Sequence, residues 1–199
     1  MKQLKKYSTS FISIQHFSMV YMFFLLTVSC VAKANDDFVI ANNASHTNFY
    51  LDENADELVK WAVNDLLEDL DKMTGKKFNL IVTSTYTSNN KGVYVGTFAD
   101  ALINSLPKKY SVNLQNQWEK FLIQESNQSL FLVGSDTRAT VYAIFELAER
   151  IGISPWKWWA DVTPQTTNTI ILKLPKGGIE EQPSVKFRGI FLNDEDWGL

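Results

Sequence analysis

Leu130-Phe131-Leu132-Val133-Gly134-Ser135-Asp136-Thr137-Arg138 is the stretch that decides the fold. Four apolar residues stand in consecutive positions and are closed by a glycine. A half-exposed strand would alternate, so this run fits a central strand covered on both faces. Beyond Arg138 the period changes. Val141, Ile144, Phe145, Leu147, Ala148 and Ile151 recur at helical spacing with a wide apolar face, and Gly152 ends the run. A glycine turn between strand and helix invites a phosphate-loop reading. With one glycine, no Lys-Ser/Thr pair and no Gly-x-Gly-x-x-Gly, capping of the helix by Ser135 or Asp136 is the better account.

Outward from this unit, residues 121–124 read as a strand that makes a hairpin with 130–133. Residues 92–96 form another tightly bounded strand, and a short helix around 98–106 stops before Pro107. Residues 78–83 read as a strand and 86–91 as a polar loop. A longer helix lies upstream. Asn54 and Glu57 have capping-box spacing, Leu58, Trp61, Ala62, Leu66, Leu70 and Met73 follow at helical spacing, and Gly75 closes it. Its acids Asp65, Glu68, Asp69 and Asp71 read as a solvated face. Residues 38–41 suit an edge strand and 169–174 one more strand. The tally predicts a small two-layer α/β domain over residues 35–175, with a linker over 176–185.

Charge narrows the partners. Nineteen basic and 22 acidic residues give a net charge of −3. Residues 1–34 contain four lysines and no acid, so the remainder is more acidic still. Such a chain has no electrostatic footprint for nucleic acid. An anionic substrate would need local Arg or Lys contacts rather than bulk attraction.

Residues 1–34 read as a targeting segment: Lys2, Lys5 and Lys6 precede an apolar stretch over 17–28, and Ala32-Lys33-Ala34 fits the cleavage pattern. The apolar stretch is short for a transmembrane helix. A second reading makes Cys30, after Leu26-Thr27-Val28-Ser29, the acylated residue of a lipoprotein signal, which would be the chain's one route to a membrane. Either way the protein is expected to be exported, to the periplasm, the outer surface or beyond. Cys30 is the sole cysteine, so the domain has no disulfide, thiol nucleophile or Cys-based metal site. His46, the one histidine outside the leader, reads as a surface polar residue.

Two clusters could carry chemistry. In residues 186–199 an apolar run over 187–192 reads as a buried strand, and Asn193, Asp194, Glu195 and Asp196 gather at its carboxyl end. On an extended chain Asp194 and Asp196 share a face about 7 Å apart, which suits the spaced carboxyls of an inverting glycosidase. A solvated acidic loop, or oxygen ligands for Ca²⁺ or Mg²⁺, are the other readings of these residue types. The second cluster is Trp156, Trp158 and Trp159, just after Pro155. Exposed indoles stack on the apolar face of a sugar, and buried ones would seal a domain interface. Arg188 is a candidate partner for a substrate carboxylate, or one half of a buried ion pair.

Phe187-Arg188-Gly189-Ile190-Phe191-Leu192-Asn193-Asp194-Glu195-Asp196-Trp197-Gly198-Leu199 resembles the opening of the catalytic barrel in glycoside hydrolase family 115. Gly134-Ser135-Asp136-Thr137-Arg138, continuing to Ser154-Pro155-Trp156-Lys157-Trp158-Trp159-Ala160-Asp161-Val162, resembles the same family's N-terminal domain, in the expected order. The resemblance spans roughly residues 38–199. It implies an α/β accessory domain followed, over 186–199, by the first strand of a truncated (β/α)₈ barrel, inactive by itself. The family's enzymes are α-glucuronidases that remove (4-O-methyl-)glucuronic acid from xylan by inverting hydrolysis, without a cofactor. The resemblance further implies that Asn193 and Asp194 line the uronic-acid pocket and that one of Trp158 and Trp159 reaches it. Asp194 is the catalytic candidate, with its role unassigned. Glucuronoxylan or its oligosaccharides would be the partner, and no metal is expected. The alternative is a secreted carbohydrate-binding or interaction module without catalysis.

Overall fold

The computed structural model describes residues 37–106 and 113–191. The targeting segment with Cys30, and Asn193 and Asp194, lie outside the described residues. The central unit comes out as read. β6 (Ser129–Gly134) is buried along its whole length. It lies between β4 (Gly92–Thr97), parallel to it, and β5 (Phe121–Ser126), antiparallel. β5 and β6 form a hairpin whose two loop residues, Asn127 and Gln128, both have positive φ (53° and 62°), the geometry that matches the twist of paired strands. α3 (Thr137–Arg150) then packs back on the sheet through Ala143, Ile144 and Leu147.

The full sheet has the order β3-β2-β4-β6-β5-β8, with β2 (Asn48–Leu51), β3 (Leu80–Val82) and β8 (Ile179–Glu181) as the further members. β3, β2, β4 and β6 run parallel; β5 is antiparallel to β6, and β8 is antiparallel to β5. β1 (Phe38–Ala41) pairs separately with β7 (Ile170–Leu172). α1 (Glu57–Thr74) links β2 to β3 and packs beside α3 through Val59, Ala62, Val63, Leu66 and Leu70. Gly75 closes α1 in the left-handed conformation (φ 67°) and donates its N–H to the Asp71 carbonyl at 2.8 Å.

Alternation along the strands splits the core in two. Phe49, Val93, Val95, Leu130 and Leu132 face α1 and α3, whereas Tyr50, Tyr94, Phe131 and Val133 face the other way. On that second side the short helix α2 (Ala101–Asn104) supplies Leu102 and Ile103 as a cover. Tyr50, Tyr94 and Phe131 are register partners on neighbouring strands and stack in a row, with ring centroids 4.5 and 5.5 Å apart. The expected two layers therefore carry a thinner third one.

Three sequence expectations change and one strand is new. The α1 cap is Asp56, whose carboxylate accepts from the Leu58 N–H at 2.8 Å; the Asn54 N–H instead donates to the buried Asp52. β2 was not anticipated, because its four residues follow too closely on β1 to stand out. Within the expected linker, residues 179–181 form edge strand β8, since β5 would otherwise present an open ladder. Residues 187–191 belong to no strand, and Phe187, Ile190 and Phe191 are 91%, 85% and 88% exposed. A strand is buried only by neighbours, and no ladder among the described residues reaches this run.

Candidate functional site

The tryptophan turn follows directly from the central unit. Gly152, at φ 94°, reverses the chain after α3, Ile153 drops into the core, and Pro155 opens a single helical turn, α4 (Lys157–Ala160). The Ser154 hydroxyl accepts from the Trp156 N–H at 3.2 Å, and the Ala160 N–H donates to the Trp156 carbonyl at 2.8 Å. Asp161, in the left-handed conformation, ends the turn.

One side chain ties this turn to the domain. The Lys157 ammonium donates to Asp65 at 2.6 Å and to the buried Asp69. Both acids sit on α1, where sequence reading placed a solvated face. Burial pulls the Lys157 pKa down, but the hydrogen bonds and charges of Asp65 and Asp69 outweigh it, and the net shift is upward from 10.5. The ammonium also lies 4.9 Å from the centre of the Trp158 ring. Trp158 leans on Trp61 of α1, centroids 5.6 Å apart. The expected apolar face of α1 thus divides: Trp61 and Leu58 point outward rather than into the core, and Trp61 joins the turn.

The indoles are not buried in the described domain. Trp156 and Trp158 are more than half exposed and Trp159 is 80% exposed. Trp158 and Trp159 border a groove of about 420 Å³ between α1, α3 and the turn, with Tyr142 and Phe145 on one wall and Asp65, Glu146, Glu149 and Glu181 among its polar lining. Aromatic faces beside carboxylate acceptors are the chemistry that holds an uncharged polyhydroxyl ligand. Of the expected binding residues, the structure places Trp158 and Trp159 together on this groove; Asn193 and Asp194 lie outside the described residues.

The turn after β6 is used up internally. Asp136 accepts from the Ala139 N–H at 2.8 Å, capping α3, and from the Glu119 N–H at 2.7 Å. Arg188 is an ion-pair residue here: it meets Glu119 and the Tyr142 hydroxyl. Sequence reading passed over Glu119, because its two arginine partners lie 19 and 69 positions away. His46 packs against Phe78, centroids 4.9 Å apart. Among the described residues no group of His, Cys, Asp and Glu is arranged to hold a metal ion, and no helix is long and apolar enough to cross a membrane.

A mixed α/β sheet with helices on its main face carries this aromatic turn and acidic groove, and by its likeness to solved structures the domain is glycoside-hydrolase-like. The chain is similar in structure to a family GH115 4-O-methyl-α-glucuronidase with specificity for decorated arabinogalactans, at 29% identity and a TM-score of 0.62. The likeness covers 81% of this chain and 20% of that one, so the chain spans about a fifth of the length of this solved relative. The resemblance to family 115 read from the two motifs therefore extends to the three-dimensional fold. Also similar are a GH138 enzyme targeting pectin rhamnogalacturonan II (15% identity, TM-score 0.34, covering 61% of this chain and 15% of that one) and a GH84 protein (14%, 0.38, 70% and 21%). No protein-family model and no curated protein matches the chain.

Proposed function

We propose that this chain is the N-terminal part of an exported glycoside hydrolase that removes (4-O-methyl-)glucuronic acid side chains from a plant polysaccharide by inverting hydrolysis. The observation that carries the reading is the match to a 4-O-methyl-α-glucuronidase over 81% of the chain. Residues 35–175 serve as the accessory domain, and residues 186–199 open the catalytic barrel. Asn193 and Asp194, in that opening segment, bind the uronic acid, with Asp194 the catalytic candidate. Trp158 or Trp159 stacks on a sugar of the substrate. The polysaccharide is glucuronoxylan or, as in the solved relative, a decorated arabinogalactan.

A second reading has its own observation. Trp158 and Trp159 stand exposed on a groove within the domain, with Trp156 exposed beside them, which suits a carbohydrate-binding module without catalysis.

Release of glucuronic acid by the full-length gene product containing residues 1–199 separates the two. The assay runs on aldouronic acids, glucuronoxylan and decorated arabinogalactan, with Asp194→Ala alongside. Release from at least one substrate, lost in Asp194→Ala, is the expected result. A folded protein that binds these glycans and releases nothing would overturn the hydrolase reading in favour of the module.

A further inference from the structure

After β8 the chain leaves the sheet, and residues 187–191 run exposed along the domain with one exception. Arg188 turns back. Its guanidinium donates to the Glu119 carboxylate, to the Tyr142 hydroxyl at 3.1 Å and to the Val185 carbonyl at 2.5 Å, and lies 6.0 Å from the ring centres of both Trp118 and Tyr142. Gln182, further back, donates to the Trp118 carbonyl at 2.8 Å.

Glu119 is built to receive it. Its side chain is 10% exposed, and its second oxygen meets Arg138, in the first turn of α3, at 2.8 Å. Its backbone sits at φ 49°, where glycine or asparagine would rest with less strain. Its N–H is held by Asp136, the residue that caps α3. Glu119 is thus held at its backbone by Asp136 and at its carboxylate by Arg138 as well as Arg188, and a buried carboxylate shared by two guanidinia holds its partners in a defined geometry.

We propose that Glu119 and Arg188 form a positioning clamp that sets the direction in which the chain leaves the α/β domain. Asn193 lies five residues past Arg188, at most about 18 Å of extended chain. A fixed guanidinium therefore limits where Asn193 and Asp194 stand relative to the tryptophan turn. That consequence rests on the glucuronidase reading; the clamp itself does not.

Glu119→Gln in the full-length product tests the clamp without altering the clamped segment's sequence. Chymotryptic cleavage after Phe187 and Phe191, followed by mass spectrometry, is expected to accelerate about tenfold. The same substitution added to Arg188→Met should accelerate cleavage little beyond Arg188→Met alone. On aldouronic acids, kcat should fall about tenfold with KM changed less than twofold, and Arg188→Lys should lie between wild type and Arg188→Met. Unchanged cleavage in Glu119→Gln, with an unchanged unfolding midpoint, overturns the clamp. Faster cleavage with kcat unaltered overturns its role in positioning Asn193 and Asp194. If the folded wild type releases no glucuronic acid, that positioning role falls with the hydrolase reading, and cleavage alone decides the clamp.

Discussion

Two turns flank α3, and they end in opposite states. The turn before it, through Gly134, Ser135 and Asp136, spends its polar groups inside the domain: Asp136 caps the helix and holds the Glu119 N–H, and the Ser135 hydroxyl accepts from the Lys120 N–H at 3.0 Å. The turn after α3 has a backbone just as defined, yet it aims three indoles outward and fastens itself with one lysine. Exposing that much apolar surface is unfavourable in water, so a partner that covers it gains the burial the domain forgoes. The first turn serves the fold. The second leaves its indoles uncovered among the described residues.

Substitutions around the first turn should therefore strike stability hardest. Leu132→Ala empties a fully buried site facing α1 and α3, and should cost about 2–5 kcal/mol in denaturant unfolding. Gly134→Val follows. A Cβ at Gly134 would stand 2.3 Å from the Thr140 backbone nitrogen and 2.8 Å from the Ala139 carbonyl carbon, so α3 must move off β6, at about 1–3 kcal/mol by the same measurement.

At the second turn the leverage is electrostatic and smaller. Asp69→Ala leaves the Lys157 ammonium with Asp65 alone and should cost about 2 kcal/mol, accompanied by a change in tryptophan emission as Trp158 loosens from Trp61. The same contact gives a pH dependence. Lys157 titrates above its ordinary 10.5 in the folded chain, so its contribution is fully present below that value and is lost as pH rises through the folded pKa. Tryptophan emission should hold steady to about pH 10 and shift above it, and the Asp69→Ala protein should lack most of that shift. The smallest effect belongs to Trp159→Ala. With the ring 80% exposed, the unfolding free energy should stay within about 0.5 kcal/mol of wild type.

The first turn was also the more legible. Four consecutive apolar residues, a glycine and a 3.6-residue period give β6 and α3 from local chemistry alone, and the hairpin to β5 follows from proximity in the chain. The second turn drew attention through its three tryptophans, but how it is held could not be read locally. Lys157 finds Asp65 and Asp69 across 92 and 88 positions, so those acids look like an ordinary wet helix face until α1 and α4 meet. Trp61 misled for the same reason: its spacing matches the buried stripe, and only the tertiary contact with Trp158 sets it apart. Glu119 was invisible, because a carboxylate at positive φ carries no sequence signal. The run over 187–192 was read as a strand from its apolar residues, yet strandedness belongs to a pair of chains rather than to one.

The contrast between the turns is tested most directly by glucuronic acid release from the full-length Trp158→Ala and Trp159→Ala proteins, measured beside their unfolding midpoints. The account expects at least one of them to lose tenfold or more in kcat/KM, roughly 1.4 kcal/mol of transition-state binding, while Trp159→Ala unfolds as wild type does. Wild-type kcat/KM in both variants would contradict it, and would leave the exposed indoles as a surface for something other than the substrate.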